Sequence, residues 1–206
     1  MVDQREYYFK RLHSLLGVVP ITIFVVQHLV VNHFAVYGED SFDKAAGFMA
    51  NLPFVSLLEW VVIYLPILFH AVLGVYIVFT TKNNTRSYGY FRNWMFLLQR
   101  ISGIITLIFI AWHIYQTKIQ ITFFNTDLNF QLMEDVLTQP FFFWFYLISI
   151  IFVVFHLANG LWSFCVSWGI TQSPRSQKVV TYVTVLIFLV VSYIGIRSLF
   201  AFAFGA

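Results

Sequence analysis

Five stretches of this chain are longer and more apolar than soluble helices are, and that pattern constrains the fold more than any motif does. A run of ~18 or more mostly apolar residues is long enough to cross the hydrocarbon layer of a membrane as a helix. Such runs lie near 13–34, 57–80, 93–117, 141–168 and 178–203. Of the 206 residues 60% are hydrophobic and only 10% are charged, whereas a soluble domain carries roughly a quarter charged residues. The expected fold is all-α, an integral membrane bundle of five transmembrane helices forming one domain over residues 1–206. The first run follows Arg5, Lys10 and Arg11 as a signal peptide would. It is too long for one, however, and has no small-residue cleavage site, so it reads as a retained helix.

Charge sets the expected orientation. With an odd number of spans the termini lie on opposite sides. Placing the N-terminus in the cytoplasm puts Arg5, Lys10, Arg11, Lys82, Arg86, Arg92, Arg100, Arg175 and Lys178 inside, against Lys44, Lys118 and Arg197 outside. Basic residues concentrate on the cytoplasmic side of membrane proteins, and nine against three decides for a cytoplasmic N-terminus and an outer C-terminus. The net charge of +3 therefore reports topology and contact with lipid, not binding to nucleic acid. Trp60, Trp94, Trp112, Trp144 and Trp168 all fall near span ends, where amphipathic rings prefer the interface.

Four of the spans carry one histidine each: His28, His70, His113 and His156. An ionisable imidazole in hydrocarbon is costly unless its lone pair or its charge is used, so each marks a functional position. At 1.5 Å per residue, His28 and His113 lie roughly 7 and 9 Å outward of their span centres. His70 and His156 lie about 2–3 Å inward of theirs. The four sort into an inner pair, His70 with His156, and an outer pair, His28 with His113.

A weak internal repeat runs in the same sense. There are 42 residues from His28 to His70 and 43 from His113 to His156. Phe69-His70 is followed by Gly74 and Tyr76, and Phe155-His156 by Gly160 and Trp162. A glycine four residues after a histidine shares its helical face. Gly74 and Gly160 thus make room either for a flat macrocycle or for a neighbouring helix. Gly17 and Gly103, about three turns inward of His28 and His113, read as clearing space for the inner macrocycle.

The pattern suits haem better than other metal centres. Zinc or di-iron sites group carboxylates or cysteines with histidine, and the span interiors hold no Asp or Glu. Two imidazoles per iron in an apolar surround suit low-spin haem. No Cys-x-x-Cys-His occurs, so the haems are expected to be non-covalent, two of b type. Cys165 stands alone and reads as a small buried residue. Cytochromes b of quinol-oxidising complexes hold both haems between two helices carrying two histidines each, whereas here each span carries one.

Several segments then become specific to a family: Arg5-Glu6-Tyr7-Tyr8-Phe9, Arg11 through Gly17, Gln27-His28-Leu29-Val30-Val31-Asn32, Arg92-Asn93-Trp94, Arg100 through Ile105, Asn159 through Phe164, and Pro174-Arg175-Ser176. Over nearly its whole length the chain resembles the cytochrome b558 type of membrane anchor in succinate dehydrogenases of Gram-positive bacteria, related to the diheme anchors of fumarate reductases. The resemblance implies a multi-pass protein of the bacterial cytoplasmic membrane. It implies an iron–sulfur subunit bound on the cytoplasmic face, and through it a flavoprotein that oxidises succinate. It also implies transfer of electrons to a quinone, usually menaquinone, near the outer haem. The dehydrogenase activity would belong to the assembled complex, with no catalytic residue in this chain alone. Carried over by position, His70 and His156 hold the inner, higher-potential haem, and His28 and His113 the outer, lower-potential one.

The other polar residues keep two readings each. Arg100 binds a haem propionate or anchors its helix at the headgroups. His13 touches a propionate or the iron–sulfur partner, or simply sits at the interface. Asn32, His33, Glu59 and Trp60 fall together at the outer span ends, where they are either exposed residues with no such role, the commoner case, or an acid and imidazole that deliver protons to quinone. Two other classes stay open: the b-type anchor of a hydrogenase or formate dehydrogenase, and a histidine-bearing transporter without haem.

Overall fold

The structure, a computed structural model, describes residues 4–82 and 84–205. Five helices are long and apolar enough to cross a membrane: Gln4–Tyr37, Val55–Thr80, Phe91–Phe124, Pro140–Ser167 and Pro174–Phe204. The described residues contain no strand. The protein is an all-helical, multi-pass membrane protein. Each span reverses the direction of the one before, so one end of the bundle carries Gln4 and the other carries Phe204.

The number of spans matches the apolar runs, but two are longer. The first and third are 34 residues each, about 51 Å at 1.5 Å per residue, against a hydrocarbon core of roughly 30 Å. The extra turns of the first are rich in charge, and those of the third interleave Lys118, Gln120 and Thr122 with apolar residues, so hydropathy alone stops short of them. In the first span the added segment holds Glu6 and Lys10, ion-paired one turn apart at 2.6 Å.

Three spans contain a wide π-helical turn: Gly17–Ile21, Glu59–Tyr64 and Tyr115–Ile119. Two have a proline nearby, Pro20 within the first turn and Pro66 just after the second. Proline has no N–H to donate and clashes with the carbonyl of the preceding turn. Within the same turn the Thr22 hydroxyl donates to the Gly17 carbonyl at 2.9 Å.

Spans one, four and five close tightly around Gly195. A Cβ there would lie 2.9 Å from Ile150 Cγ2 and 3.4 Å from Leu29 Cδ2. Small residues permit such approach where packing alone drives association.

The dry core gathers at the C-terminal end of the bundle. Two short helices, Glu39–Ala50 and Phe130–Leu137, close that end. Phe42 and Phe130 each place a ring 4.9 Å from that of Phe202. Asn129 caps the second of these helices by accepting from the Leu132 N–H, and Asp43 Oδ1 accepts from the Phe130 N–H at 2.7 Å. Toward the N-terminal end the interior holds histidine, glutamine and glycine instead.

Candidate functional site

The four span histidines meet in two pairs. His28 and His113 have ring centroids 5.8 Å apart with planes at 75°. His70 and His156 are 6.2 Å apart at 87°. These rings are not stacked, unlike His13 on His70, whose centroids are 3.9 Å apart and nearly parallel.

The pair nearer the N-terminal end is held by main chain. His70 Nδ1 lies 2.9 Å from the His13 carbonyl, and His156 Nδ1 lies 3.1 Å from the Gln99 carbonyl. Both contacts join residues 57 apart in the chain. A carbonyl only accepts, so each Nδ1 carries the proton and each Nε2 keeps its lone pair.

Glycine creates the space for these contacts. A Cβ on Gly17 would stand 2.5 Å from His70 Cε1, and one on Gly103 would stand 2.9 Å from His156 Cε1. No larger residue fits at either place while the imidazole stays put. Gly74 faces His13 Cε1 at 3.3 Å, and Gly160 faces Gln99 Nε2 at 3.2 Å. Gly17 and Gly103, His13 and Gln99, His70 and His156, and Gly74 and Gly160 are each 86 residues apart, while His28 and His113 are 85 apart. The two helix pairs are thus built on one plan, with His13 and Gln99 as counterparts.

Gln99 was not singled out from sequence, although a glutamine inside a span is informative for the same reason as a histidine. It accepts from Asn159 Nδ2 at 2.8 Å and donates to the His156 carbonyl at 3.0 Å. The fully buried Ser102 places its hydroxyl 3.2 Å from His156 Nδ1.

Arg100 follows Gln99 and is buried. One Nη donates to the Thr81 carbonyl at 2.5 Å, and the guanidinium lies over the Phe96 ring. Its Nε and other Nη have no hydrogen-bond partner, nor has the buried His13 Nδ1. Buried donors and charges without partners are expensive, so this region calls for an acceptor that the protein does not supply.

The second pair is held by side chains. His113 Nδ1 lies 3.2 Å from the Tyr146 hydroxyl, which donates to Gln116 Oε1 at 3.0 Å. Phe109 stacks beside His113 with ring centroids 5.6 Å apart. Asn32, one turn after His28, donates to the His28 carbonyl at 2.8 Å and has its amide nitrogen 3.3 Å from His28 Nε2. Tyr146 and Gln116 were also missed in sequence. Gln116 was within reach, because it follows His113 by three residues on one helical face.

His33, Glu59 and Trp60, grouped with Asn32 in the sequence, lead in different directions. His33 Nδ1 lies 3.3 Å from the Ile194 carbonyl of the fifth span. Glu59 accepts twice from Lys118, at 2.7 and 2.9 Å, tying the second span to the third. Trp60 is exposed on the bundle surface against Tyr64.

The donor set suits haem. Among the described residues no group of three or more His, Cys, Asp or Glu is placed to hold a metal ion. A haem iron already has four equatorial nitrogens from its ring and needs only two axial ligands. His70 and His156, each with Nδ1 protonated, would meet that need for one haem, the pair His28 and His113 would offer two imidazoles to a second, and the unpartnered Arg100 and His13 nitrogens suit a carboxylate such as a propionate.

A family model described as the succinate dehydrogenase/fumarate reductase transmembrane subunit matches residues 80–196. The chain is also 52% identical over 202 residues to the succinate dehydrogenase cytochrome b558 subunit of Bacillus subtilis (strain 168), covering 98% of this chain and 100% of that one.

Proposed function

Since the chain belongs to the succinate dehydrogenase/fumarate reductase transmembrane subunit family, we propose that it is a diheme b-type anchor passing electrons from succinate to a quinone. His70 and His156 hold one haem, and His28 and His113 hold the other. When bound, haem between two imidazoles supplies a low-spin iron that accepts and releases single electrons. The carbonyls of His13 and Gln99 keep the Nδ1 protons in place and aim the two Nε2 atoms inward. Arg100 and His13 offer their unpartnered nitrogens to propionate oxygens.

The distribution of basic residues supports a cytoplasmic N-terminal end. The iron–sulfur subunit, with the flavoprotein beyond it, docks there. His28 and His113 then lie toward the outer side, where the quinone, menaquinone, is reduced. Asn32, His33, Glu59 and Trp60 belong to that end, although their contacts diverge. Protons joining the quinone there come from outside, so inward-negative potential favours electron exit by about 2.3 kcal/mol per charge per 100 mV.

The observation that carries this reading is the tautomer control at His70 and His156, two carbonyl contacts repeated at the same chain separation. A reduced-minus-oxidised spectrum of the purified complex tests it. Two b-type components are expected, and absence of an α band in that region overturns the haem assignment.

A further inference from the structure

At the C-terminal end a run of three side chains is hydrogen bonded in only one possible sense. The Gln116 amide oxygen can only accept, so the Tyr146 hydroxyl donates to it, at 3.0 Å. That uses the single hydroxyl proton of Tyr146. Its oxygen is then an acceptor toward His113 Nδ1, 3.2 Å away. His113 must carry its proton on Nδ1, which leaves the Nε2 lone pair free.

Tyr146 is buried at 3% exposure, so water does not readily substitute for its hydroxyl, whereas Gln116, at 9%, borders an open cavity. Gln116 sits in the π-helical turn Tyr115–Ile119. It also lines a polar cavity of about 390 Å³ with Asp127, Asn129 and Asp135. Wide turns of this kind recur at functional sites.

We propose that Tyr146 is a positioning residue for His113, with Gln116 fixing the sense of its hydroxyl. The inference rests on the reading of His113 as a haem ligand. It assigns to two side chains the duty that the His13 and Gln99 carbonyls perform for the other pair. An acceptor on the distal nitrogen orients a ligating imidazole and raises its basicity. A more basic imidazole favours ferric iron, so removing the acceptor raises the midpoint potential of that haem alone.

Tyr146→Phe isolates the hydroxyl, because the ring and its edge-to-face contact with Phe109 at 5.1 Å are kept. The assembled succinate dehydrogenase complex carrying this variant is titrated potentiometrically while both b components are followed optically. The component lost in His113→Leu identifies the haem in question. An upward shift of that component with the other unmoved supports the proposal, as does selective loss of that haem. Gln116→Leu gives a smaller shift in the same sense. Unchanged potentials in both variants overturn it, as does an equal change in, or loss of, both components. A wild-type complex lacking two b components, or a His113→Leu complex retaining both, sinks the haem reading itself.

Discussion

The two histidine pairs are surrounded by different materials. His70 and His156 direct their Nδ1 atoms at main-chain carbonyls, with Gly17 and Gly103 opposite the rings. His113 directs its Nδ1 at a tyrosine hydroxyl, whereas His28 is met at Nε2, not Nδ1, by the Asn32 amide nitrogen. Among the described residues no glycine faces His28 or His113. A carbonyl survives any side-chain substitution, so the first pair is vulnerable chiefly through the space its glycines leave. The second is vulnerable through its supporting side chains. The surroundings differ in the same way. Aromatic packing around Phe202 and Phe109 gives the C-terminal end a core of its own, whereas the N-terminal end is organised around polar groups.

The sharpest break of this comparison comes from the ligands. Replacing either His70 or His156 should abolish one b component, the same one in both cases, and His28 or His113 should abolish the other. Optical spectra of the four single variants check it, and different losses within one pair would falsify the pairing. Loss of His113 should also stop quinone reduction while succinate still reduces the remaining component.

Next in size is the aromatic core. Phe202 is 2% exposed and meets both short helices. Phe202→Ala should cost about 3–5 kcal/mol, the usual range for emptying a packed aromatic site. Thermal unfolding in detergent measures the loss. Because the damage lies at the C-terminal end, the component assigned to His70 and His156 should outlast the other on heating. Simultaneous release would show that the two ends are energetically one unit.

The glycines provide a graded series. Gly17→Ala places a Cβ 2.5 Å from His70 and Gly103→Ala one 2.9 Å from His156, while Gly160 and Gly74 leave 3.2 and 3.3 Å. Overpacking typically costs about 1–3 kcal/mol. Haem retention should fall most for Gly17→Ala, then Gly103→Ala, with Gly160→Ala and Gly74→Ala nearest wild type. A flat series would mean that the imidazoles move aside freely.

The smallest stability effect is expected at Glu59. Its pairing with Lys118 is partly exposed, with side chains 26% and 43% accessible, and such pairs contribute about 0–1 kcal/mol. Glu59→Gln should leave both b components and the melting temperature nearly unchanged. Any large fall in quinone reduction would then report a role in proton delivery.

Much of the site was legible because hydrocarbon makes polar residues conspicuous. A histidine in an apolar run stands out, and its depth follows from counting residues along a helix of known rise. Glycines 17, 74, 103 and 160 were visible too. Their partners were not, since the side chain that Gly17 faces, His70, lies on another span. Tyr146 was lost among neighbouring aromatics, where nothing in the composition separates a hydrogen-bonding phenol from an interfacial one.

What the sequence determined by itself was the number of spans, the family and the four histidines. The physical reason is that a bilayer admits few backbone solutions, so apolar length translates directly into architecture. Only the tertiary structure decided what Nδ1 of His70, His113 and His156 meets. That depends on the rotation of each helix about its axis and on which span lies across from it. Periodicity defines a face on one helix, but the His13 carbonyl reaches His70 only because two helices approach closely at Gly17.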